Sequence, residues 1–324
     1  MNEQAPEGVR PDPPSGVERL IAHVKTMAPV RTAVVHPCDA LSLGGALDAR
    51  DAGVITPVLV APLAKLRAVA ADMGLELGDT EVVDVPHSHA AAAAAARLAG
   101  KGEVQALMKG SLHSDEYLGA ILAPEACLRT ERRLTHCYIM QTASYPRPFI
   151  ITDAAINIAP TLEIKADIVR NAIDLAHAIG IAGPKVAILA AVETVNPRML
   201  STLDAAALCK MADRGQITGA VLDGPLAFDN AVSPDAARVK GIKSTVAGQA
   251  DILVVPDLES GNMLAKQLEY MGQADSAGIV MGARVPIVLT SRSDSRRTRI
   301  ASCAIALILA HRQRALVQGK ENRA

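Results

Sequence analysis

Short runs of branched aliphatic residues recur along this chain, and a stretch of helical periodicity follows most of them. Ala33-Val34-Val35, Pro57-Val58-Leu59-Val60, Val82-Val83-Asp84-Val85 and Val104 to Met108 read as strands. Between them, residues 43–50, 63–73 and 90–98 read as helices; the last is an alanine run of high helix propensity that Gly100 stops. Apolar strands alternating with helices are the pattern of a parallel sheet covered on both faces. Half of the 324 residues are hydrophobic, yet the chain has no Trp, two Phe and four Tyr. The core is therefore aliphatic, and the length is enough for two domains or one large α/β unit.

The second half repeats the alternation after a less regular middle. Leu134 to Gln141 and Phe149 to Thr152 read as strands around the proline-bearing turn Ser144 to Pro148. Pro160-Thr161 opens a helix with Ile164, Ile168, Ala172, Leu175 and Ile179 on one face. Val186 to Ala190, Ala220 to Leu222, Ile252 to Val255 and Pro286 to Leu289 are further strands. Ser201 is expected to cap a helix, with Asp204 as its acidic partner and Leu203, Ala207 and Met211 on the buried side. The expected architecture is α/β: two domains in a three-layer α/β/α arrangement, with a cleft between them. Residues 1–153 form the first domain, with 1–15 a flexible tail and 292–324 returning to it; residues 154–291 form the second.

Composition excludes several classes of function. A formal net charge of -1 argues against a nucleic-acid surface, and so does the scarcity of aromatic stacking platforms. The polar, proline-rich start lacks a basic-then-apolar order, and the run Ala304 to Ala310 is too short to span a bilayer, so a cytoplasmic protein without membrane partners is expected. Five cysteines without a CxxC pair read as free thiols. Cys127, His136 and Cys137 invite a metal site, but adjacent strand residues face opposite ways, so none is expected.

Three strand ends in the second half carry polar clusters: Asp223-Gly224-Pro225, Asp257 to Asn262, and Ser291-Arg292-Ser293-Asp294. If the strands are parallel, these clusters gather at one edge of the sheet, where open α/β sheets bind ligands. An arginine there holds a phosphate with a bidentate fork. Gly261 and Asn262 precede a helix whose first N–H groups suit an anion, and Lys266 lies on the same face as Asn262. Lys109 and His113 follow a first-half strand and are candidates for the opposite wall of the cleft. Arg132 and Arg133, with Arg129, form a second basic group. A GxxxxGK[ST] loop, a complete dinucleotide fingerprint and a GxSxG elbow are all missing. These features point to a small phosphorylated substrate.

The stretches KGEVQALMKG, TDAAINIAPTLEIKADIVRNA, PKVAILAAVETVNPRM, RGQITGAVLDGPLAFDNAV, KGIKSTVAGQADILVVPDLESGN and PIVLTSRSDS occur in order. From about residue 100 to 310 the chain thereby resembles the phosphate acyltransferases, the phosphate acetyltransferase and phosphate butyryltransferase group. VETVNPRM and LTSRSDS look closer to the butyryl branch. The resemblance implies a fold like that of the isocitrate and isopropylmalate dehydrogenases, and a homodimer. It implies reversible transfer of a short acyl group, acetyl or butyryl, between CoA and phosphate by attack of the CoA thiol on acyl phosphate. Acyl-CoA, phosphate and acyl phosphate are then its partners, with no permanently bound cofactor. Ser291 would hydrogen-bond the reacting group and Arg292 would bind phosphate. The acetyl branch has a catalytic aspartate seven residues after the serine; Thr298 stands there here, and Asp294 is the substitute base. An arginine of that branch has no counterpart near Gly119-Ala120, which leaves phosphate to be shared with Arg132, Arg133 or Lys109. The competing readings are a decarboxylating-dehydrogenase-like oxidoreductase and a non-catalytic protein that binds CoA or acyl phosphate.

Overall fold

A computed structural model of the chain describes residues 16–291 and 294–321. The expected tail 1–15 lies outside these residues, as does Arg292. The first half alternates as the sequence pattern predicts: α1 (Gly16–Val24), β1 (Val30–Val35), α2 (Ala40–Asp51), β2 (Ile55–Ala61), α3 (Leu63–Asp72), β3 (Glu81–Asp84), α4 (Ser88–Gly100), β4 (Ala106–Lys109) and α5 (Ser114–Leu122). An antiparallel hairpin follows, β5 (Thr135–Thr142) and β6 (Tyr145–Thr152). Then come α6 (Leu162–Ala178), β7 (Lys185–Leu189), α7 (Leu200–Asp213), β8 (Val221–Leu226), α8 (Phe228–Val232), α9 (Pro234–Val239), β9 (Ile252–Val254) and α10 (Leu258–Tyr270). β10 (Asp275–Met281), β11 (Ile287–Val288) and the long α11 (Arg296–Glu321) complete the described chain.

All eleven strands join one sheet in the order β3-β2-β1-β4-β11-β10-β5-β6-β9-β7-β8. β1 to β4 and β11 run parallel to one another, and β6 to β9 likewise. β10 is antiparallel to both β11 and β5, and β5 to β6. β11 therefore runs opposite to β8 and β9, and the expected gathering of three strand ends at one edge does not occur. The sequence reading did not place β10. Its Gly278 and polar Asp275-Ser276 dilute the apolar run that marks a strand.

Alternation along the strands sorts the core into layers. Val34, Leu59, Met108, Val288, Ile139, Ile188 and Val254 face one continuous cluster built with α2, α3, α6, α7 and α11. On the opposite face the core is split. Val35, Val60, Leu107, Val280 and Ile287 pack with α4 and α5; Met140, Ile151, Leu189, Leu253 and Val255 pack with α8, α9 and α10. Between these two clusters, that face of β10 and β5 presents Ser276, Gly278, His136 and Tyr138 rather than aliphatic side chains. This strip parts the two clusters on that face of the sheet.

Two helix starts differ from the expectation. Ser201 lies inside α7, and Asp204 does not cap it: its carboxylate meets the ammonium of Lys165 from α6 at 2.7 Å, with both side chains buried. This pair turns α7, so Thr202, Ala205 and Leu208 are buried while Leu203 is 38% exposed. α10 starts earlier than predicted because Asp257 caps it, its carboxylate accepting from the Ser260 N–H. The Gly261 N–H is already bonded to the Asp257 carbonyl, so that amide is not free for an anion.

Candidate active site

β4 and β11 lie side by side and end at the same edge of the sheet. Lys109 closes β4, and His113 is the N-cap position of α5 just beyond it. The crossing is tight. A Cβ on Gly110 would lie 2.3 Å from the Val35 carbonyl oxygen, so only glycine lets β4 pass the end of β1. The Ser111 hydroxyl then donates to the His36 carbonyl and accepts from the Cys38 N–H, tying the two strand ends together.

Ser291 follows β11 at this edge and is exposed. The Asp294 carboxylate accepts from the Ser291 N–H at 2.8 Å, and the Asp294 N–H donates back to the Ser291 carbonyl at 3.2 Å. These bonds tie Ser291 to Asp294, which is half-buried. Desolvation raises the Asp294 carboxyl above its ordinary range, as does the charge of Glu269; the Ser291 N–H, Lys266 and Arg299 oppose this. Thr298, at the position of the expected acetyl-branch aspartate, is buried and occupied. Its hydroxyl lies 2.9 Å from that of Ser295, whose oxygen also accepts the Thr298 N–H and so caps α11.

α10 supplies the facing wall. It begins at the far edge of the sheet, after β9, and runs back toward the Ser291 edge. Asn262, in its second turn, is committed to the Ala154 carbonyl at 3.2 Å. Lys266, one turn later, reaches the electrostatic neighbourhood of Asp294 and Tyr138. Its ammonium pairs with Glu269 at 2.9 Å and lies 5.6 Å from the centre of the Tyr270 ring. Burial pulls the Lys266 pKa down, but the bond to Glu269 and the charges of Tyr138, Glu269 and Asp294 raise it overall. The ammonium is thus a fixed cation at neutral pH. Below it, the His136 and Tyr138 rings pack edge-to-face with centres 4.3 Å apart. Burial, then the charge of Lys266, pushes the His136 pKa down to about 3, and burial pushes Tyr138 up to about 12. Both rings are neutral over the working pH range.

The remaining residues singled out by sequence lie elsewhere. Asp223 is within β8, six strand spacings from β11, roughly 29 Å at about 4.8 Å each; its carboxylate accepts the Gly224 N–H. Arg132 and Arg133 precede β5 at the far edge. There they line a cavity of about 800 Å³ with Arg129, Glu163 and Asp167. Arg132 bonds Asp174 of α6, and the Arg133 N–H bonds Asp167. Neither is brought to Ser291. Sequence reasoning missed Tyr138, Glu269 and Arg299. The order of α10 held the one usable signal, since Glu269 stands three residues after Lys266 and so shares its face. Among the described residues no three metal-ligating side chains cluster, and no helix is long and apolar enough to cross a membrane.

The family model described as "Phosphate acetyl/butaryl transferase" matches residues 87–307. A phosphate acetyltransferase of Rhizobium meliloti is 61% identical over 305 residues, covering 94% of this chain and 96% of that relative. A phosphate butyryltransferase of Clostridium acetobutylicum is 41% identical over 291 residues, covering 90% and 97%. The crystal structure of a branched-chain phosphotransacylase from Enterococcus faecalis superposes with a TM-score of 0.76 at 30% identity, covering 87% of this chain and 99% of that one. These findings correct two expectations. The branch is wrong: identity favours acetyltransferases over butyryltransferases, so VETVNPRM and LTSRSDS do not mark the butyryl branch. The fold named from the resemblance is also wrong: the matching architecture is that of solved phosphotransacylases and phosphotransacetylases, not the isocitrate/isopropylmalate dehydrogenase-like fold.

Proposed function

This chain belongs to the phosphate acetyl/butyryl transferase family, and on that premise we propose that acyl transfer takes place at the Ser291–Asp294 turn. The protein is an acyltransferase. Its reaction is acyl-CoA + phosphate ⇌ acyl phosphate + CoA, with CoA a co-substrate rather than a resident cofactor. We assign acetyl as the acyl group from the identity to acetyltransferases.

In the direction of thioester formation, acyl phosphate and CoA bind together in the cleft. A CoA thiol resembles cysteine, with an ordinary pKa of roughly 8.5. A carboxylate raised by burial is a stronger base toward it than an ordinary carboxylate. Asp294 takes the thiol proton, and the thiolate sulfur bonds to the carbonyl carbon. The carbonyl π pair moves onto oxygen. When that pair returns, the carbon–oxygen bond to phosphate breaks and phosphate leaves. The oxyanion and the leaving phosphate are both negative, and fixed donors that face them lower the barrier. Lys266 supplies such a charge, the Ser291 hydroxyl donates to the oxyanion, and Lys109 and His113 at the neighbouring strand end contribute to phosphate binding. Arg292, the phosphate ligand implied by sequence, lies outside the described residues.

The observation that carries this reading is the half-buried Asp294 carboxylate, hydrogen-bonded to the Ser291 amide and facing Lys266. The test is Ser291→Ala, assayed in both directions with acetyl and butyryl substrates. The expected loss of kcat is on the order of a hundredfold; a loss below about threefold removes Ser291 from the chemistry. We propose the division into residues 1–153 with 292–324, and residues 154–291, from the split on one face of the sheet alone; Met140, Phe149 and Ile151 cross it to pack with the second half, and Val280 crosses it to pack with the first. β11 departs from that division by lying beside β4. A homodimer is supported by the exposed Val221 on β8, the last strand of the sheet, and by the exposed Leu200 on α7, which packs against it. Light scattering at twice 33.8 kDa is the expected result, and a monomer mass contradicts it. We place the protein in the cytoplasm, where CoA and acyl phosphates are made and consumed.

A further inference from the structure

Three arginines, Arg296, Arg297 and Arg299, stand in the first turn of α11. Cations are disfavoured at that end of a helix, whose dipole is positive there. Two of them have carboxylate partners: Arg296 pairs with Asp48 of α2, and Arg297 with Glu18 of α1 and Asp275 of β10. Arg299 is different. Among the described residues it has no carboxylate within ion-pair distance. Its terminal nitrogen donates to the Asp294 carbonyl at 2.6 Å, and its Nε is buried without a partner among the described residues. Leaving a charged group short of a partner costs stability, so its position calls for a reason beyond folding.

The space for Arg299 is made by α2. A Cβ on Gly45 would stand 2.9 Å from Arg299 Cδ and 3.0 Å from its Nε. Glycine inside a helix is worth roughly 1 kcal/mol less than alanine. Two locally unfavourable choices, a glycine in mid-helix and a cation at a helix start, thus meet at one contact beside Asp294. We propose that Arg299, seated in the notch left by Gly45, is a positioning residue that fixes Asp294 through its bond to the Asp294 carbonyl and keeps a positive charge beside the carboxylate. Among the described residues, the charged and titratable groups that share this neighbourhood are Lys266 and Glu269 from α10, Tyr138 from β5 and Arg299 from α11; the Ser291 amide bonds Asp294 directly. Arg299 is one of those that favour the charged carboxylate.

The proposal rests on Asp294 acting as the base. The experiment measures kcat, KM for CoA and the pH dependence of kcat/KM for Arg299→Gln, Arg299→Lys and Gly45→Ala, with urea midpoints for each. Arg299→Gln is expected to lower kcat about tenfold or more with KM little changed, because small misplacements of reacting groups are costly. Its acid limb should move to higher pH, since a charge that lowers the Asp294 pKa is gone. Arg299→Lys should return the limb toward wild type. Gly45→Ala should lower kcat although alanine suits the helix better, and it keeps the proposal testable if Arg299→Gln fails to fold. A folded Arg299→Gln with wild-type kcat and an unmoved acid limb overturns the proposal, as does a fully active Gly45→Ala. Asp294→Asn separates the two claims. If it leaves the acid limb in place, Asp294 is not the base. If it abolishes the limb while Arg299→Gln leaves it unmoved, only the role of Arg299 fails.

Discussion

Replacing His136 by phenylalanine should remove a pH dependence that this buried ring imposes on stability. His136 is fully buried, and neither ring nitrogen has a hydrogen-bond partner among the described residues. Burial, reinforced by the charge of Lys266, holds its pKa at about 3 against an ordinary 6.5. Above pH 6.5 the histidine is neutral in both folded and unfolded chains and adds no pH dependence. Between 6.5 and about 3 the unfolded chain takes up a proton that the folded chain refuses, so stability falls as pH falls. At roughly 1.4 kcal/mol per pH unit, the descent from 6.5 to 5 costs about 2 kcal/mol, a sizeable share of a typical 5–15 kcal/mol. The assay is urea unfolding of both proteins at about pH 7, 6 and 5. Carboxylates common to the two proteins cancel in the difference, and phenylalanine retains the ring packing against Tyr138. The wild type should lose ground to His136→Phe steadily below pH 6.5. A difference that stays flat with pH, or a His136 resonance titrating near 6.5, refutes the reasoning.

The buried pair Lys165–Asp204 gives a second expectation. Lys165→Met alone should cost about 3–5 kcal/mol by stranding the carboxylate, and Lys165→Met with Asp204→Leu should recover most of it, both read from urea midpoints. Thr298→Ala should cost about 1 kcal/mol through the weakened start of α11 while leaving kcat within about threefold of wild type. Complete loss of turnover in a folded Thr298→Ala would instead give that hydroxyl a part in the chemistry.

The elements were legible where local rules decide them. Apolar runs such as Pro57-Val58-Leu59-Val60, and the Thr161 start of α6, give the strands and helices directly. Strand direction was not legible, because it depends on β10, whose Gly278 and Ser276 break the apolar signal. Missing that one strand made three clusters converge on paper that lie at opposite edges of the sheet. The Ser291–Asp294 turn was visible as a polar run after an apolar strand. Lys266 was placed on the face of Asn262, yet it joins Asp294 for a different reason: α10 runs back across the sheet. Arg299 and Gly45 stand near opposite ends of the sequence, and nothing short of packing links them. Butyryl-like motifs misled because a few short stretches weighed more than identity along the whole chain.

Removal of the CoA proton by Asp294 at the Ser291 turn is the central claim. The most direct measurement is kcat/KM against pH for acetyl phosphate and CoA, in the wild type and Asp294→Asn. The wild type should show an acid limb above the ordinary carboxylate range, since burial raises the Asp294 carboxyl. Asp294→Asn should lose that limb and fall on the order of a hundredfold in rate near neutral pH. An Asp294→Asn protein that keeps both the rate and the acid limb of the wild type contradicts the account.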